Sequence, residues 1–174
     1  MQRIPKWSDA LTEALQIDAD KLVMGDVADT EEEEDALSIP VQRGAWRVQI
    51  VLDEGGEAIE EVTLRRDGGP EDVADWIKIG QVEVDAGMIY LRPGYGLRNR
   101  DTALQEAVAN LDTRGTTNRR QHFALRRKGA IVALVLHSGY GDGSYAVYAD
   151  GGSPASAIRL DLRPGQADGD GESL

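Results

Sequence analysis

The chain has 174 residues, 41% of them hydrophobic and only 5% aromatic, and its 31 acids outnumber its 19 lysines and arginines to give a net charge of −12. That balance predicts one globular domain with an aliphatic core, and it disfavours a general disordered state. With no cysteine and only His122 and His137, it excludes disulfides, thiolate catalysis, Cys-ligated zinc or iron–sulfur sites and a multi-histidine metal centre, so no cofactor is expected.

Taken in chain order, Trp7-Ser8-Asp9 followed by ALTEAL predicts a capped helix. Ser8 would accept from a first-turn N–H, and Leu11, Ala14, Leu15 and Ile17 would form its apolar stripe. Lys21 to Met24 predicts a brief strand ending at Gly25-Asp26. From Ala45, the residues Trp46, Val48, Ile50 and Leu52 alternate with Arg47, Gln49 and Val51, the pattern of a half-buried strand. Asp53-Glu54-Gly55-Gly56 is its turn and Ala58 to Leu64 the returning partner. Asp67-Gly68-Gly69-Pro70 breaks the chain, Glu71 to Ile77 suits a helical turn, and Ile79 to Val84 and Met88 to Leu91 read as strands around Asp85-Ala86-Gly87.

A second helix is expected from Asp101 or Thr102, with Leu104, Ala107, Val108 and Leu111 on one face. Phe123 to Leu125 and Ile131 to Leu136 flank the turn Arg127-Lys128-Gly129, and Ile131 to Leu136 is apolar on both faces, as a central strand is. Tyr145 to Tyr148 and Ala157 to Leu162 form a last hairpin across Asp150-Gly151-Gly152-Ser153-Pro154. The pattern predicts an α+β, mainly β domain over residues 1–163. Its eight or nine strands would pair antiparallel as a sandwich or a strongly bent barrel-like sheet, with about two helices on it. Residues 164–174 are expected to be a disordered acidic, glycine-rich tail.

The charge is unevenly spread. Residues 1–90 hold 22 acids and 8 bases, a net −14, residues 91–130 a net +6, and residues 131–174 a net −4. Such an acidic surface favours a basic protein partner and disfavours nucleic acid. Glu31, Glu32, Glu33, Glu34 and Asp35 are the foremost candidates for contacting that partner, with Asp53 and Glu54 behind them. The +6 segment holds Arg92, Arg98, Arg100, Arg114, Arg119 and Arg120 around Pro93-Gly94-Tyr95-Gly96. Its arginines suit the protein's own acids, or alternatively a phosphate.

The segment His137 to Tyr148 concentrates Gly139, Gly141 and Gly143 with Asp142 and three tyrosines. Tyr140 is a candidate anchor for a partner. Asp85, Tyr140 and Asp142 together are a candidate ligand site, since both aspartates fall in bends at strand ends. The competing reading has each aspartate capping its own turn. His137 and Ser138, adjacent on a strand, point to opposite faces and cannot exchange a proton. Tyr145 and Tyr148 cannot share a face either, so one of them is expected in the core.

Val84-Asp85-Ala86-Gly87, Ser138 to Tyr148, Ala157 to Leu162 and the strand from Ala45 to Leu52 together resemble segments of the bacterial domain-of-unknown-function family 4241. Ala86 and Ala146 stand where that family's pattern has Ser and Pro. The resemblance implies a β-rich bacterial domain, some of whose relatives look like companions of secreted toxins, and it brings no catalytic residue. These readings converge on a non-enzymatic, cytoplasmic immunity protein that neutralises a toxin by direct binding, without membrane contact. The alternative is a metal- or small-ligand-binding β domain centred on the SGYGDG loop.

Overall fold

A computed structural model describes residues 8–10, 14–26, 36–52, 58–69, 72–84, 88–94, 122–127, 130–137 and 143–163. These form twelve strands: β1 Ser8–Ala10, β2 Leu15–Ile17, β3 Lys21–Asp26, β4 Leu37–Pro40, β5 Gly44–Leu52, β6 Ile59–Arg66, β7 Ile77–Val84, β8 Met88–Pro93, β9 His122–Arg127, β10 Ala130–His137, β11 Gly143–Ala149 and β12 Ala157–Asp161. Among the described residues there is no helix.

The β5–β6 hairpin follows its sequence pattern. Trp46, Val48 and Ile50 are buried while Arg47 and Gln49 face water, and the register pairs Val48 with Leu64 and Ile50 with Val62. Alternation sends one side chain set into the core and the other to solvent, so the register is fixed by burial. The core gathers such inward sets from both parts of the sheet: Trp46 and Ile50 from β5, Leu64 from β6, Leu22 from β3, Leu134 from β10 and Leu160 from β12 are all fully buried.

The strands divide into two antiparallel groups. One runs β4-β3-β8-β10 with β9 beside β10; the other runs β2-β5-β6-β12-β11-β7 with β1 also on β5. They join at one corner through a parallel pair, Ile131 on β10 with Leu15 on β2. At the far corner β7 lies against β3 and β4, where a Cβ on Gly80 would come within 2.8 Å of a Leu37 methyl. The sheet therefore bends back on itself around a single core, and the expected mainly β, antiparallel architecture is observed.

The N-terminal helix is not. Ser8–Ala10 pairs with Val51 to Gln49 on β5 and Leu15–Ile17 pairs with Trp46 to Gly44 on the same edge. Leu15 and Ile17 are fully buried on either side of a less buried Gln16. The same apolar spacing suits a helical stripe or a short alternating strand, and the open edge of β5 decides between them. Residues 72–76 likewise form no helical turn, and Ile77 opens β7 directly. The helix expected from Asp101 or Thr102 lies outside the described residues, as does the 164–174 tail.

Leu37–Pro40, not expected as a strand, pairs antiparallel with Lys21 to Met24. Its proline sits at the last strand position, where the missing N–H costs little. The expected central strand is correct: β10 contacts β9 on one edge and β8 and β2 in succession on the other, and Ile131 and Ala133 to Leu136 are all fully buried.

Candidate functional site

The solvent-facing side of β5, β6, β12, β11 and β7 carries most of the described polar chemistry. Antiparallel registers line up Gln49, Thr63, Arg159, Tyr148 and Lys78 as one cross-strand row. In the next row Val51, Glu61 and Asp161 are neighbours. Side chains at directly opposed positions lie close enough to interact, so the register by itself builds these contacts.

Arg159 is the centre of this face. Its guanidinium carbon lies 4.4 Å from the centroid of the Tyr148 ring and 5.3 Å from that of Trp76. Both distances are within cation–π range. Its Nε is 3.4 Å from Glu61 Oε1, and the two side chains are 23% and 29% exposed. The Nε makes no hydrogen bond, so the Glu61 contact is an ion pair by distance alone. An arginine held between two rings and a carboxylate has lost its rotamer freedom before any partner arrives.

Asp161, beside it, is only 1% exposed. Its carboxylate receives Arg163 Nε at 3.0 Å and Nη2 at 2.8 Å in a two-pronged fork, with the Arg163 main-chain N–H also at 3.0 Å. Burial pushes the Asp161 carboxyl up, but the hydrogen bonds and charge of Arg163 outweigh it and hold the group below the usual carboxylate range. The same fork raises Arg163 further into its charged form. Glu61 moves the other way. Burial raises it, and the neighbouring Arg159 and Arg163 only partly offset that, while Asp161 adds to the rise.

At the turn between β11 and β12, the Asp150 carboxylate accepts from the N–H groups of Gly152 and Ser156 and from the Ser156 hydroxyl. This fixes the loop that sets the β11–β12 register. On β7 and β11, Glu83 accepts from Gln81 Nε2 at 2.7 Å and from the Ser144 hydroxyl.

Most residues expected from sequence to form sites lie outside the described residues. Glu31, Glu32, Glu33, Glu34 and Asp35 lie in the connection between β3 and β4, and Asp85, Tyr140 and Asp142 in two further connections, all outside the described residues. Asp53 and Glu54, Tyr95, and Arg98, Arg100, Arg114, Arg119 and Arg120 lie outside them as well. The described residues that flank two of these connections are paired, Val84 with Gly143 and Met88 with His137.

Arg92, grouped by sequence with the arginine cluster, is 4% exposed on β8, with its guanidinium 5.6 Å from the Tyr90 ring centroid. His137 ends β10 partly buried, and its Nε2 is shielded from water without a hydrogen-bond partner. Tyr145 is in the core and Tyr148 on the outer face, as their strand parity requires. Trp76, Arg159, Glu61 and Asp161 were not singled out by sequence. The last hairpin's turn could have placed Tyr148 opposite Arg159, but nothing local announces that Trp76 stacks there too.

No protein-family model matches the chain, and no curated protein or solved structure is significantly similar to it.

Proposed function

We propose that this protein is a non-enzymatic binding protein of the immunity type, which neutralises a basic partner, a cognate toxin, by covering it. The net charge of −12 on a rigid β framework is the observation that carries this reading. An acidic surface of that strength raises the encounter rate with a basic protein and repels nucleic acid and anionic membrane alike. The face around Arg159 supplies the other requirement. Trp, Tyr and Arg are the residue types that dominate interface energetics, and here they are stacked in advance. The acid run Glu31 to Asp35 would steer the partner, and Tyr140 would add an anchor.

The test is direct titration of the purified protein with the products of the genes beside its own, at low and at physiological salt. A complex whose association slows steeply with salt supports the reading; failure of every neighbour to bind at low salt overturns it.

A second reading, a metal or small ligand held by Asp85, Tyr140 and Asp142, is favoured by the two strand-end pairs Val84–Gly143 and Met88–His137. His137, in the second of these pairs, carries an Nε2 without a hydrogen-bond partner. It requires a rise in melting temperature with a divalent cation that disappears in Asp142→Ala. No shift with any divalent cation removes it.

A further inference from the structure

We propose that the outer face of β3, β8 and β10, the face turned away from the core, is the seat of a second apolar layer, and that its occupant is the stretch of this chain between Pro93 and His122. This goes beyond the binding reading above and does not depend on it.

Strand parity separates the two faces of this part of the sheet. Leu22 and Met24 on β3, Ile89 and Leu91 on β8, and Leu134 and Leu136 on β10 belong to the core. The positions between them form the other face: Val23 lies opposite Arg92, Gly25 opposite Tyr90, and Tyr90 in turn opposite Val135. An antiparallel sheet commonly leaves its outer face polar and solvated. Here the outer positions are mostly apolar, and they are buried. Val23 is 9% exposed, Arg92 4%, Tyr90 1%, and Ala133 and Val135 0%. With no partner chain present, the cover is this chain itself. All the described strands are members of the sheet, so none of them is that cover.

Topology says where it comes from. Leu134 pairs with Leu91 on one edge and with Ala124 on the other. β8 and β9 therefore flank β10 and, both being antiparallel to it, run parallel to each other. β8 starts opposite His137 and runs towards the beginning of β10, whereas β9 starts again opposite Leu136. The chain between them has to return along β10 and pass from one of its edges to the other. Parallel strands require such a crossover, about a dozen residues or more, laid over a face of the sheet.

The inner face is closed to it, because Trp46, Leu64 and Leu160 fill the core there. The outer face is left. The connection from Pro93 to His122 is long enough, and its Leu104, Ala107, Val108 and Leu111 supply an apolar set to lay against Tyr90, Ala133 and Val135. Other parts of the chain are poorer candidates. Residues 27–35 are rich in acids and join two strands that are already neighbours, and residues 164–174 hold one large apolar side chain, Leu174.

The test uses the full chain. It has no cysteine, so Glu106→Cys takes a single nitroxide label at a position outside the apolar set. Broadening of main-chain amide signals is expected to be strongest on β3, β8 and β10 and weaker on β6, β12 and β11. Broadening strongest on β9 with β3 spared would place the connection beside the sheet edge and overturn the proposal, as would broadening strongest on β6 and β12. The double variant Leu104→Ala, Val108→Ala is expected to lower the melting temperature by about 10 °C, and Glu106→Ala to leave it within about 2 °C. A double variant that melts with wild type also overturns the proposal. The labelled protein keeps the apolar set intact, so its result stands even if the double variant fails to fold.

Discussion

Arg163→Ala isolates the energetics of the charged face. Asp161 carries a side chain only 2% exposed, whereas its partner Arg163 is 47% exposed. Removing one member of a fully buried ion pair costs about 3–5 kcal/mol, because a charge is left in a poorly solvated place. Here the departing guanidinium is half in water, which screens its contribution. The main-chain N–H of residue 163, at 3.0 Å, remains as a donor in the alanine variant. A loss of about 2 kcal/mol near neutral pH is therefore expected, in the range for hydrogen bonds to a charged group.

The pH dependence gives this prediction its sign. In the wild type the folded-state pKa of Asp161 is depressed. Its stabilising contribution is therefore present above the ordinary carboxylate range and lost as pH falls through the folded value. Without Arg163, burial becomes the dominant influence on the carboxyl and raises it. Its charged form is then the costly one at neutral pH, and protonation relieves the cost. The stability gap between wild type and variant should be widest near pH 7 and should narrow towards about pH 3. Urea unfolding followed by tryptophan fluorescence at several pH values measures it. A gap below about 0.5 kcal/mol at neutral pH, or one that does not change with pH, would refute the reasoning. Arg163→Lys should recover only part of the loss, since an ammonium cannot reproduce the fork.

Glu61→Gln tests the opposite case. The folded-state pKa of Glu61 is raised, so ionised Glu61 costs stability at neutral pH and the cost fades on acidification. The variant should be neutral to about 1 kcal/mol more stable near pH 7, with the difference gone near pH 4; urea midpoints at both values decide it. The glycines at close approaches differ in what they face. Gly25→Ala would put a Cβ 2.8 Å from the Tyr90 hydroxyl oxygen and 2.9 Å from its ring. Tyr90 is only 1% exposed, so overpacking of about 1–3 kcal/mol is expected. Gly80→Ala meets the movable end of Leu37 instead and should cost clearly less; equal melting temperatures for the two variants would contradict this.

Much of the β architecture was legible because burial writes itself into period-two patterns. Trp46, Val48 and Ile50 announce β5, the doubly apolar Ile131 to Leu136 announces the central β10, and Tyr145 and Tyr148 were correctly sent to opposite faces. The N-terminal segment was misread because Leu15 and Ile17 fit either period over so short a stretch. β4 escaped notice because Leu37-Ser38-Ile39-Pro40 is brief and ends in proline. Of the described surface, Tyr148 alone had been marked. Trp76 and Arg159 meet only across strand pairings that no local pattern encodes.

What the sequence settled alone was the chemistry available: aliphatic core, no thiols, a strong negative charge, and the parity that decides which side chains can share a face. Those properties depend on composition and on neighbours one or two positions away. Tertiary structure decided which parities are brought side by side, because strand register is a long-range choice made by burying the whole inner set at once. It made short strands of Ser8–Ala10 and Leu15–Ile17, slipped Ile79 into a bulge, and stacked Trp76, Arg159 and Tyr148 from three separate segments.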